Sequence, residues 1–417
     1  GGADVSLAEV NAEAGDALLA AGLDLTLTGV VDAATGNIVA TAGNDLTQLA
    51  ALGGDQSTNN VTLTATTGTL TSSDTVDAID SVDATAGLDL NAAAPITAAN
   101  GSIALTTLAG DLNTGEILTA ETGVIVDGAA NVSVDRVLAF NGDTTLRAGS
   151  NITLTDAVDA RGGNDVVVWA GQNVTQTAAV GGDQATDNVT LTADTGAILS
   201  TNTIDAAMNV ALTSGSSTTL GAAVVADTGD ITIGSGVNVT AADELTATAG
   251  AIDIDAVEDV ALAALVTAGT TIDVNAGGTS AFAELHAGDD ITLDADVDLT
   301  LTGAVNADGA DIVATAGRDL TATAALGGDQ TTDNIDLTAV LGTVTTSSTV
   351  DATQTIDYVA GANIVAGQTD ALDAITTDNG SITFDAGEGI AINTIVTAND
   401  SVLADAETGS ITTGDDL

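Results

Sequence analysis

In the run AFAELHAG, residues 281–288, the chain's single imidazole, His286, stands two residues from Glu284. Residues i and i+2 of an extended strand face the same way, so the two could act as a general acid and base. Acting on a polysaccharide would also need carboxylates gathered with Lys, Arg or His. The chain has no Lys, and Arg136, Arg147, Arg161 and Arg318 are scattered along it. An exposed Glu284–His286 pair at a strand end is the simpler reading, and a polysaccharide-acting enzyme is disfavoured.

Oxygen ligands are the commoner resource. The segments IDIDA (252–256), IDVNA (272–276) and ITLDA (291–295) carry Asp253, Asp255, Asp273, Asn275 and Asp294. Hard carboxylate and amide oxygens suit Ca²⁺ better than a transition metal. Whether these groups meet depends on register. If Ile231, Ile252, Ile272 and Ile291 form one inward column, then Thr232, Asp253, Asp273 and Thr292 form one outward column. Asp255, Asn275 and Asp294 then form the next. Discrete Ca²⁺ sites on these five residues are the sharper expectation, and diffuse screening by monovalent cations is the plainer one. No cofactor is required. The chain has no Cys, so it has neither disulfides nor thiolate metal sites. The calcium-binding nonapeptide repeat is absent, and Gly162-Gly163-Asn164-Asp165 is an isolated fragment of it.

Trp169, in DVVVWAG, has the side-chain parity of Asp165 and Val167, opposite to Val166 and Val168. It can lie outside as a lone contact for a saccharide, or its ring can cover a corner or an inserted loop. Thr-x-Thr pairs (Thr26/Thr28, Thr62/Thr64, Thr153/Thr155, Thr190/Thr192) raise an ice-binding reading, which needs an unbroken Thr array on adjacent coils. Asp intrudes too often for that, so outward Thr is read as an ordinary strand former. Sequons such as Asn60-Val61-Thr62 and Asn188-Val189-Thr190 are read as corner Asn residues before strands.

The elements that would position these groups follow from a repeat. NVTLTATTGTLTSSDTVDA (60–78), NVTLTADTGAILSTNTIDA (188–206) and NIDLTAVLGTVTTSSTVDA (334–352) align without gaps, each preceded by GGDQ at 53–56, 181–184 and 327–330. Residues 25–78 and 299–352 share 36 of 54 positions, which implies duplication of a multi-unit block. Strand starters such as GNIVATA, GSIALTT, GDITIGS and GSITFDA cut the chain into about 20 units of roughly 21 residues. Within a unit the period is two. Val189, Leu191 and Ala193 point one way and Thr190, Thr192 and Asp194 the other, with Ile198, Ile204 and Ala206 next inward. Val61, Leu63, Gly68, Leu70 and Val76 are the equivalents in the first copy, and Ile335, Leu337, Gly342, Val344 and Val350 in the third. Three short strands and tight corners per unit predict an all-β, right-handed parallel β-helix (β-solenoid) of triangular cross-section. It is expected to run through residues 1–417 as one continuous segment. Aromatics at 1% beside 45% hydrophobic residues fit a core one or two side chains wide.

The net charge of −55 excludes nucleic acid and anionic membrane surfaces as partners. No stretch approaches the ~20 apolar residues that span a bilayer, so no direct membrane insertion is expected. The acid is interleaved with β-branched residues, which is unlike a disordered tail.

These GDITLTA-type coils, rich in Thr, Asp and Gly and without Cys, resemble the shafts of filamentous-haemagglutinin-type bacterial surface exoproteins. The resemblance covers essentially the whole chain as a repeat style. It implies a right-handed β-helix, an extracellular place at the cell surface, and a role as adhesin, fibre or stalk. The expectation is a structural surface protein, not an enzyme: a rigid acidic shaft for coating, projection or cell–cell attachment. The alternative is a Ca²⁺-dependent adhesin whose receptor-binding region lies outside this segment. The chain opens on Gly1-Gly2, and the coil pattern begins at Val5, Leu7 and Val10 and still runs at GSITTGDDL (409–417). It is therefore expected to be a fragment of a longer protein. Its edges would self-associate end to end. GGDQ is read most simply as a one-corner extension, and as a regularly spaced lateral docking point in the sharper reading. A cell-surface receptor or matrix is the other partner expected.

Overall fold

The computed structural model describes residues 2–53, 58–182, 186–327, 331–367 and 374–414. The protein is an all-β parallel β-solenoid of about 19 turns, with coils of about 21 residues, and the described residues contain no helix. Residues 1–215 and 216–417 are two compact units built on the same plan.

In the first unit a coil is one long and two short strands. Ser81–Ala86, Leu90–Ala92 and Ile96–Ala98 make one turn, and Ser102–Thr107, Leu112–Thr114 and Leu118–Ala120 the next. Alternation of apolar and β-branched polar residues selects the strands, because period two sends every second side chain inward. The turns stack in parallel register: Val82 lies over Ile103, Leu90 over Leu112 and Ile96 over Leu118, all buried. At the corners the chain is so close to its neighbour that a Cβ on Gly171 would come within 2.3 Å of the Gly149 carbonyl oxygen. Any side chain there would push the turns apart.

The second unit repeats this with Ile in one inward column. Ile231, Ile252, Ile272 and Ile291 stack in register as expected, and Ile312, Ile335, Ile356 and Ile382 continue the column. All eight are fully buried. Burying each contributes about 1.5–3 kcal/mol, and none does so without the turns above and below it. Two of the five aromatics meet: Tyr358 and Phe384, register partners, stack with centroids 4.9 Å apart. The buried Tyr358 hydroxyl is 3.3 Å from Thr346 Oγ1, and burial pushes its pKa up.

Two coils merge two of their three strands into one. Val260–Ala268 and Ser280–Ala287 each run through a corner as one strand, with the irregularity between Leu262 and Leu265 replacing a turn. The turn count also falls slightly below the 20 expected. Inserted residues lengthen some coils: Ile38 pairs with Val61, Val166 with Val189 and Ile312 with Ile335, 23 residues apart in each case.

These longer coils carry the GGDQ copies. Residues 54–56, 183–184 and 328–330 lie outside the described residues, and with them the expected docking point. Their flanks are described and alike. Leu52, Val180 and Leu326 are lone residues, each bridging to the turn before and the turn after, where other coils have a short strand. Gly53, Gly181 and Gly327 follow with φ of 68°, 73° and 66°, a left-handed conformation that favours glycine. The chain re-enters at Thr58, Thr186 and Thr332, all fully buried. Their hydroxyls accept from the backbone N–H of Ala33, Ala160 and Ala307. Their carbonyls accept from the N–H of Ile79, Ala207 and Thr353 on the following coil. One threonine thus supplies hydrogen bonds to the turns on both sides where the strand end is missing.

Candidate functional site

The acidic columns form as the register requires. Asp253 stands beside Thr232 on one side and Asp273 on the other, and Asp273 precedes Thr292. Asp255, Asn275 and Asp294 line up two residues along. All are carried on the outward face of the strands Ile252–Ala256, Ile272–Ala276 and Ile291–Ala295. The inward Ile, Val and Leu residues of those strands lock this geometry.

Partial burial raises the pKa of Asp253, and the charges of Asp255 and Asp273 raise it further. Asp273 is raised by burial first, then by Asp255 and Asp294. Asn275 breaks the run of charge, its amide donating to Asp255 Oδ1 at 3.2 Å. Asp255, Asn275, Asp294 and Asp296, with Ser235, line an open recess of about 320 Å³. Among the described residues, no three His, Cys, Asp or Glu side chains converge as a metal cage. What the columns offer a cation is pairs of carboxylates on neighbouring turns.

A second such pair, Asp336 and Asp357, was not singled out in the sequence, although NIDLTA and TIDYVA carry the same I-D signal. They are register partners, and burial, then Asp357, then Asp311 raise the pKa of Asp336.

The structure gives His286 a partner other than the one its spacing suggested. Its Nε2 is 3.3 Å from Asp308 Oδ2, both side chains about half exposed. Asn306 and Thr331 also donate to Asp308, at 3.0 and 3.2 Å. Two of the four arginines are held in ion pairs. Arg161 binds Asp159 at 2.8 Å, and Arg318 binds Asp298, with Asp319 at 3.5 Å.

Trp169 lies outward near the end of the long strand Asn164–Ala170 of the first unit, 38% exposed. On the same face, Thr41, Thr64, Thr85 and Thr106 form one column. The neighbouring column holds Val39, Thr62, Asp83 and Ala104, so a two-column Thr array lasts one coil only. Thr190 likewise lies between Val167 and Ala211. Thr28 and Thr155 are at corners, donating to the carbonyls of Leu7 and Val134.

Much of the Asp and Asn content has a structural use that composition hid. Asp111 Oδ1 accepts from Asn131 N and Nδ2, both at 3.0 Å. Asn131 Oδ1 accepts from Asn151 Nδ2 at 2.9 Å, and Asn151 Oδ1 from Asn173 Nδ2 at 2.8 Å. In the second unit Asp311 caps Asn334 in the same way, and Asn334 caps Thr355. In these ladders a corner side-chain oxygen, the carboxylate of Asp or the amide carbonyl of Asn, satisfies an amide of the next turn. The sequon residues Asn60 and Asn188 belong to such ladders, their amides donating to Asn37 and Asp165.

The fold therefore defines a class, the parallel β-solenoids. Compared with known proteins, the chain matches no family model, no curated protein and no solved structure.

Proposed function

We propose that the protein is a structural, extracellular component of the cell surface, an acidic β-solenoid shaft used for coating, projection or attachment, of the kind found in filamentous-haemagglutinin-type exoproteins. One observation carries this reading. Side chains are spent on stacking: like residues in inward ladders, Asx ladders at the corners, and threonines closing the gaps at insertions. Such a unit gains length with every turn. The ten long strands of the first unit alone stack through about 43 Å. Its outward carboxylates favour solubility and mutual repulsion over collapse. Self-association, end to end or laterally, and contact with a receptor or matrix belong to the same proposal. The test is immuno-electron microscopy of producing cells with antibody raised against residues 216–327. Gold on surface fibres or the outer layer supports the reading, and label confined to the cytoplasm overturns it.

A second reading, a Ca²⁺-dependent adhesin, is favoured by the in-register Asp253 and Asp273.

A further inference from the structure

The long-strand face of the first unit is mostly Thr, Asp and Ala, with Leu18, Val39, Ile125 and Val167 outward among them and Trp169 as its aromatic. Trp169, the chain's single Trp, lies between Arg147 on one turn and Thr192 on the next. Val167, two residues back on the same strand, extends the indole sideways. Arg147, Val167, Trp169 and Thr192 line an open recess of about 400 Å³, within the size range of small-ligand sites. Arg147 makes no ion pair with a described residue, although Asp127 is its register partner. A bulky indole on a solvated strand face loses part of its apolar surface to water, and nothing in the stacking of the turns calls for it there.

We infer that this recess is a binding site for a pyranose ring of an uncharged polysaccharide. The indole face is electron-rich and takes the row of axial C–H bonds that one side of a pyranose presents. The Arg147 guanidinium supplies up to five N–H donors for ring hydroxyls, and the Thr192 hydroxyl both donates and accepts. Charge decides between sugars. With a net charge of −55 on the chain and Asp127 beside Arg147, a polyanionic glycan is repelled on approach, whereas a neutral one is not. One aromatic platform and a few hydrogen bonds give an affinity of about 1 mM. The site does not depend on the shaft reading. Its failure leaves that reading standing, and label in the cytoplasm would leave this one standing.

The single Trp makes its own emission the reporter. The full chain is titrated with hexasaccharides of uncharged β-1,4-glucan, α-1,4-glucan, β-1,4-mannan and β-1,4-linked N-acetylglucosamine, and with a hexagalacturonate. At least one neutral member is expected to shift the emission saturably, with little change between about 0.05 and 0.5 M salt, while hexagalacturonate does not. By calorimetry, Trp169→Ala is expected to weaken that binding at least about tenfold. Trp169→Phe should keep part of it, Arg147→Gln should weaken it several-fold, and all three variants should melt like the parent. The inference is overturned if no neutral member binds at about ten times the expected dissociation constant, or if Trp169→Ala binds as well as the parent. It is also overturned if the emission shift follows protein concentration alone, which would make the recess a contact between copies of this chain.

Discussion

Asp253 and Asp273 occupy adjacent turns in direct register, so two partly buried carboxylates face outward one strand spacing apart, with their charges unopposed by any arginine in the column. At about 4.8 Å, two unit charges repel by about 0.9 kcal/mol even in bulk water. The fold tolerates this because the same strands bury Ile252, Ile254, Ile272 and Val274 on the other side.

The sign of the pH dependence follows. Both aspartates have pKa values raised above 3.8, by burial first and by neighbouring charge second, so the folded chain holds their protons more tightly than the unfolded chain does. Their contribution is a destabilisation that is complete above the folded pKa and is relieved as pH falls through it. Asp298 runs the other way. The hydrogen bond from Arg318 lowers its pKa, so its contribution is present above 3.8 and lost as pH falls below that value. The melting temperature is expected to rise on acidification from about pH 7 to about pH 4. Asp253→Asn/Asp273→Asn should melt above the parent at the upper end and lose part of that rise. Equal melting of parent and variant at neutral pH would contradict the account.

Divalent cations should act across the two columns, where Asp273 faces Asp255 on one neighbouring turn and Asp294 on the other. At constant ionic strength, millimolar Ca²⁺ is expected to raise the melting temperature of the parent by bridging carboxylates on adjacent turns. Asp255→Asn/Asp294→Asn should lose part of that gain. If Ca²⁺ changes neither protein, the carboxylates are only screened.

At the insertions, Thr186 is the residue to change. Thr186→Val keeps the shape, strands the Ala160 N–H and removes the donor to Asp159, the two hydrogen bonds being 3.3 and 3.1 Å long. It should cost about 1–3 kcal/mol in urea unfolding, whereas Thr186→Ser should keep most of the stability. A neutral Thr186→Val would mean that the amide finds another partner.

The parts of this fold that were legible in the sequence are those fixed by period two. Ile231, Ile252, Ile272 and Ile291 could be aligned because every coil repeats the same inward choice, and the outward places of Asp253, Asp273 and Trp169 follow from parity alone. Parity says nothing about contacts between turns. It paired His286 with Glu284 on its own strand, while the nearest carboxylate to the ring comes from Asp308 on the next turn. It missed the Asx ladders, because a corner Asp reads the same whether it faces water or caps the amide of a neighbouring turn. The buried Thr58, Thr186 and Thr332 had a signal, since all three GGDQ copies place Thr two residues on. A hydroxyl replacing a missing strand can be recognised only once the strand is seen to be missing. The merged corners at Val260–Ala268 and Ser280–Ala287 left none of the usual turn residues to read.

Coil-to-coil register underlies every claim above, and the isoleucine column tests it most directly. With methyl-labelled Ile in a perdeuterated chain, nuclear Overhauser contacts are expected from Ile252 to Ile231 and Ile272, and from Ile272 to Ile291, since these are the register partners. Contacts linking Ile252 only to Ile254 and other residues of its own strand, or to isoleucines outside this column, would contradict the stacked solenoid and every site built on it.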